Sequence, residues 1–115
     1  MSKEIQITAR LKIHRGKLDE FKRIAEACMK SVREKDTGAL QYDWFFNEDQ
    51  TECHVKERYR DSNAVLEHVA NLGETFGHLL AVADFSAEVY GAPSEALLDA
   101  TKDLELTVYA FFQKM

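Results

Sequence analysis

His68, Glu57 and a set of aromatic side chains (Tyr42, Trp44, Tyr59 and Phe76) are the residues whose types and spacing lend themselves to chemistry. An imidazole that titrates near neutrality can take up and return a proton, and burial beside a carboxylate tunes it for that task. His68 shares a helical face with Val65 and Leu72, so it should point inward rather than into water. Glu57 has the strand parity of Cys53, Val55 and Tyr59, and a lone carboxylate on an apolar face is costly unless it is paired or protonated. Three roles are open to it: orienting His68, acting as a base itself, or accepting hydrogen bonds from the first amides of a helix. Tyr42, Trp44 and Tyr59 would give aromatic walls suited to a planar hydrophobic ligand, although such residues equally serve as plain core. Phe76 lies between Gly73 and Gly77, as a gate over a pocket would, or as the end of a helix would.

Other chemistries find no support. The histidines lack the four-residue step that sets two metal ligands on one helical face, and no phosphate loop or dinucleotide fingerprint is present. No serine or cysteine sits in a nucleophile elbow, and nothing besides a histidine argues for haem. The site is therefore expected to work without metal or cofactor. The net charge of −5 is a poor basis for binding nucleic acid or an anionic membrane.

The elements that must position these residues are legible in the periodicity. Residues 4–14 alternate strictly, with Ile5, Ile7, Ala9, Leu11 and Ile13 on one side, as a strand with one apolar face does. After Gly16, Leu18, Phe21, Ala25, Cys28 and Val32 recur at helical steps until Gly38, which follows Lys35, Asp36 and Thr37. Two β-rich runs, 40–47 and 51–59, flank a short polar link and read as a hairpin. Asp61 or Ser62 can cap a second helix, broken near Gly73 and Gly77 and ending about Leu80. A fourth alternating strand follows at 84–90. Beyond Gly91-Ala92-Pro93, Ser94 caps a short helix, and the apolar run 106–112 has strand composition.

The order βαββαβ predicts an α+β, ferredoxin-like fold with an antiparallel sheet covered on one face by helices. It fits one domain over residues 1–115, with a core at about 4–90 and a helix–strand extension at about 92–115. Parity puts Leu40, Tyr42, Trp44 and Phe46 on the helix-covered side with Cys53, Val55, Glu57 and Tyr59. The other side carries Gln6, Thr8, Arg10, Lys12, His54, Lys56, Arg58, Asp43 and Glu88, as a solvated face or a polar subunit contact. Cys28 and Cys53 read as reduced, buried thiols of a cytoplasmic protein. No segment has the length of a membrane span or the apolar core of a signal peptide.

Residues 57–68, Glu-Arg-Tyr-Arg-Asp-Ser-Asn-Ala-Val-Leu-Glu-His, resemble the antibiotic biosynthesis monooxygenase family in the pattern E-x-Y-x-D-x-x-A-x-x-x-H. Gly38-Ala39-Leu40-Gln41-Tyr42 is similar to that family's entry into its second strand. With the element order, the resemblance covers about residues 4–90. It implies a homodimeric α+β barrel built by sheet-to-sheet packing, with a small-molecule pocket between sheet and helices in each subunit. It also implies cofactor-free oxygenation, by O2, of a small electron-rich aromatic such as a quinol. His68 and Glu57 would then be catalytic, and Tyr42, Trp44, Tyr59 and Phe76 would bind substrate. Members also include isomerases and haem-degrading enzymes, so isomerisation and non-catalytic binding stay open. The extension is similar to that of a longer subgroup, in which it would reach over the partner subunit.

Overall fold

In the computed structural model, which describes residues 3–115, the alternating N-terminal run becomes β1 (Ile5–Ile13), the middle strand of the sheet. Helix α1 (Leu18–Lys35), the hairpin β2 (Ala39–Phe46) and β3 (Glu52–Tyr59), and helices α2 (Ser62–Leu72) and α3 (Glu74–Val82) follow. The chain ends with β4 (Ala83–Tyr90), α4 (Glu95–Ala100) and β5 (Leu106–Tyr109). The strand order is β2-β3-β1-β4-β5, an open sheet with β2 and β5 at its edges. β1 runs antiparallel to β3 and β4, and β2 antiparallel to β3. The core is the ferredoxin-like α+β arrangement. β5 joins β4 in parallel, which a tight turn cannot do; α4 supplies the crossover.

The strand faces follow parity with one exception. Ile5, Ala9 and Leu11 of β1 are buried, as are Cys53, Val55, Glu57 and Tyr59 of β3. On β2, Tyr42 and Trp44 face the helices beside Phe21, but Leu40, expected with them, is 51% exposed. The regular pairing is broken there: Ala39 lies opposite Tyr59 and Gln41 opposite Arg58, so Leu40 is an extra, bulged residue. A bulge adds one position and so reverses the parity of what precedes it. The final strand is also shorter than the apolar run 106–112, ending at Tyr109.

On the face away from the helices the charges pair along their own sheet. Arg10 binds Glu88 at 2.8 Å, Arg58 binds Glu4 at 3.2 Å, and Lys56 donates to Thr8 at 3.1 Å. Cys28 and Cys53 are buried and free. Among the described residues, no helix is long and apolar enough to cross a membrane.

Two joints place the helices that carry the site. Asp61 caps α2, its Oδ1 accepting from the Ala64 amide at 2.8 Å. α2 ends at Gly73, whose φ of +51° suits glycine, and α3 restarts at Glu74. Gly77, expected to interrupt the helix as well, lies inside α3. The first turn of α2 presses directly on the strand entry, where a Cβ on Gly38 would stand 2.5 Å from the Ala64 Cβ. Gly38→Ala should therefore cost about 1–3 kcal/mol by overpacking, and Ala64→Gly in the same chain should restore part of it. Urea unfolding of the two single variants and the double variant checks this; strictly additive losses would show that the contact is not the cause.

Candidate functional site

α2 brings Val65, His68 and Leu72 onto the sheet, and His68 is 5% exposed. Its Nδ1 lies 2.8 Å from Asp36 Oδ2, at the end of α1. Asn71, on the next turn of α2, donates from Nδ2 to Asp36 Oδ1 at 2.9 Å. A carboxylate can only accept, so the imidazole proton sits on Nδ1 and Nε2 keeps its lone pair. The ring is flanked by Tyr42, with centroids 5.0 Å apart, and by Tyr59, at 5.2 Å. Hydrogen bond and packing together fix its orientation.

Nε2 lies 4.0 Å from Glu57 Oε1, near enough to feel its charge but too far for a hydrogen bond. Glu57 accepts instead from the Tyr59 hydroxyl at 2.5 Å. Of the three roles the sequence left open, orienting His68 falls to Asp36, and Glu57 makes its hydrogen bond to Tyr59 rather than to helix amides. Burial pushes the Glu57 carboxyl up to about 7; the Tyr59 hydrogen bond opposes this, and the nearby Asp36 charge adds to it. Burial holds His68 below its ordinary value, against the pull of Asp36. Burial also drives the Tyr42 and Tyr59 phenols far above their usual range, so both remain proton donors. Near neutrality the site therefore holds a neutral imidazole with a free lone pair beside a carboxyl poised between its two states. Such a pair can remove a proton at one atom and return it at another.

His68 and Glu57 border a cavity between sheet and helices, with Tyr42, Trp44 and Phe76 also in its wall. Phe76 packs edge-on against Phe85, 5.5 Å between centroids, on α3. Tyr59 was expected in that wall, but it is fully buried behind Glu57, packed with Ile5, Val65 and Leu97. Its hydroxyl donates to Glu57. The extension adds Leu97, Leu98, Thr101, Leu104 and Leu106 to the wall. Within the chain, α4 packs on α2 and β5 pairs with β4.

Sequence reasoning missed Asp36 and Asn71. Asp36 stands thirty-two residues from His68, in a stretch whose composition signals only a helix stop. Asn71, three residues beyond His68 on α2, carried a weak signal, since residues at that spacing share a helical side.

A comparison with curated proteins found no match. Among solved structures, MupZ from Pseudomonas fluorescens superposes with a TM-score of 0.85 at 21% identity, covering 99% of this chain and 94% of that one. Rv0793 from Mycobacterium tuberculosis gives 0.68 at 21% identity, over 81% of this chain and 98% of the other. SnoaB, a cofactor-independent oxygenase from Streptomyces nogalater, gives 0.69 at 16% identity, over 81% and 96%. At these identities the structures speak for the fold. The family model for antibiotic biosynthesis monooxygenase matches residues 5–78, from β1 into α3 and including His68 and Glu57. That match spans well over half of the sequence, and the chain belongs to the antibiotic biosynthesis monooxygenase family.

Proposed function

We propose that the protein is a cofactor-free monooxygenase that oxidises a small electron-rich aromatic, a quinol-like hydroxyarene, in the cavity between sheet and helices. The observation that carries this reading is the buried His68, its Nδ1 tied to Asp36 at 2.8 Å and its Nε2 4.0 Å from Glu57, in an apolar wall. His68 Nε2 takes the proton of the substrate hydroxyl. The resulting anion, in resonance with a ring carbanion, passes one electron to O2, and the radical and superoxide couple to a ring peroxide. Loss of the hydrogen on that carbon as a proton, with cleavage of the O–O bond, then leaves one oxygen on carbon as a carbonyl and releases the other as water, so hydroxyarene and O2 give quinone and water. Glu57, with its pKa near 7, supplies a proton to the departing oxygen. The dry wall keeps the anion from being reprotonated by solvent. An oxygen electrode with a panel of one-ring hydroxyarenes tests this: uptake should exceed autoxidation, and a panel without any excess would overturn the proposal.

The two proton carriers on one cavity also favour a second reading, isomerisation by proton shuttling alone. Turnover that persists under strict anaerobiosis would select it over oxygenation.

The functional unit in this reading is a homodimer packed through the polar sheet faces, which also display Phe45, Tyr90 and Tyr109 to solvent. Sedimentation equilibrium should return twice the 13.2 kDa chain mass; a single-chain mass at tens of micromolar would rule the dimer out.

A further inference from the structure

The cavity is long for its volume. Its wall includes Tyr42 and Trp44 of β2, Glu57 of β3, residues of β1 and β4, and Leu106 of β5, which spans the whole sheet. Four strand spacings come to roughly 19 Å. The centre of a water molecule can nevertheless reach only about 80 Å³ of it. At about 10–15 Å³ per water on that measure, this is space for about half a dozen waters, or roughly ten non-hydrogen ligand atoms. Spread along the wall from β2 to β5, that space suits an extended ligand better than a compact fused-ring one.

The two ends of the channel differ chemically. Hydrogen-bonding groups gather on the β2–β3 side, where His68, Glu57 and Trp44 line the wall. Toward β4 and β5 the extension lays down Leu97, Leu98, Leu104 and Leu106. The one hydroxyl it gives to the wall, that of Thr101, already donates to the Leu97 carbonyl at 2.8 Å. Among the described residues, the buried side-chain polar atom left without a hydrogen-bond partner is Trp44 Nε1. A buried N–H without an acceptor is costly, and native proteins seldom leave one so. A ligand oxygen in the cavity would satisfy it, whereas a charged group would be disfavoured by the apolar wall.

We infer that the ligand is a neutral, slender molecule whose one-ring head carries an oxygen acceptor received by the Trp44 indole N–H, and whose saturated alkyl arm runs beneath α4 toward β5. The inference rests on the site proposed above and names its substrate class, an alkyl-armed hydroxyaryl compound. It assigns Trp44 to recognition of the head and the extension to measurement of the arm.

Non-oxidisable probes separate this inference from the oxygenase reading. Trp44 is the single tryptophan of the chain, so one indole N–H resonance and the intrinsic fluorescence report on it alone. The probes are acetophenone and its 4-methyl, 4-ethyl and 4-propyl derivatives, set against ethylbenzenes carrying the same arms. The ketones should move the indole proton downfield and the hydrocarbons should not. Affinity should rise about fourfold per added methylene, and each ketone should bind about tenfold tighter than its hydrocarbon match. Trp44→Phe, followed by ligand NMR, should erase the ketone preference and keep the dependence on arm length. Leu104→Phe should flatten that dependence and keep the ketone preference; Leu98→Phe, at a half-exposed position, serves if Leu104→Phe does not fold. An indole resonance that ketones leave unmoved, equal affinity for both series, indifference to arm length, or no binding at all would each overturn the inference. Binding in the expected pattern without any oxygen uptake would remove the oxygenase and leave the ligand class standing.

Discussion

Asp36→Asn is expected to lower turnover by roughly 10²- to 10⁴-fold, the range that a positioned general base contributes, while leaving the protein folded. The physical reason is the tautomer. In the native protein the Asp36 carboxylate can only accept, so it keeps the proton of His68 on Nδ1 and the lone pair on Nε2. An asparagine amide can present its NH2 to Nδ1, which moves the proton to Nε2 and blocks the atom that should take the substrate's proton. Asn71 donates to the other Asp36 oxygen, and that contact favours turning the new amide so that its oxygen meets Asn71 and its NH2 meets His68. Two measurements separate positioning from mere structure. Long-range nitrogen NMR should show His68 protonated at Nδ1 in the native protein and at Nε2 in the variant. The loss should appear in kcat with KM little changed, because the cavity wall is intact. His68→Ala sets the floor, and Asp36→Asn should approach it. A variant that keeps the native tautomer and native turnover would show that Asp36 has no part in the site.

Glu57→Gln is expected to make the protein more stable than wild type at alkaline pH. The Glu57 carboxyl is raised from 4.5 in the unfolded chain to about 7 in the folded one, chiefly by burial. A group raised in this way favours the folded state while it is protonated in both. Its contribution is therefore fully present below about pH 4.5 and is lost as the pH rises through about 7. The loss amounts to roughly 3 kcal/mol. Glutamine keeps the shape and has no proton to lose, so the gap between variant and wild type should widen by that order from pH 5 to pH 8.5. His68 contributes with the opposite sign: held below 6.5 by burial, it supports the fold above that pH and weakens it as the pH falls through its folded value. Because His68 is present in both proteins, it largely cancels in the comparison. Urea unfolding at the two pH values gives the answer; a gap that stays constant would mean that Glu57 is not buried as a titrating acid. The same substitution removes the acceptor of the Tyr59 hydroxyl only in part, since the amide oxygen can still accept, and so the contact at 2.5 Å should survive in weakened form.

These two side chains illustrate what can be read from a chain before it folds. The sequence by itself determined which way each strand and helix would face. Alternation along β1, parity along β3 and the three- and four-residue steps of α2 are properties of the local backbone, and they put Glu57 and His68 on the covered side of the sheet. Gly73 marked the break between α2 and α3 in the same local way. The tertiary structure decided which inward-facing groups would touch. Asp36 meets His68 because the end of α1 and the second turn of α2 come together over the sheet, and no periodicity records a distance across thirty-two residues. Tyr59, two positions from Glu57 on one strand, ended behind the acid because Val65 and Leu97 close over it. Leu40 left the covered face because one bulged residue shifts the parity of its strand. The extension came to line the cavity because β5 found the free edge of β4. Direction is written into short stretches of backbone, whereas contact depends on how whole elements settle against one another.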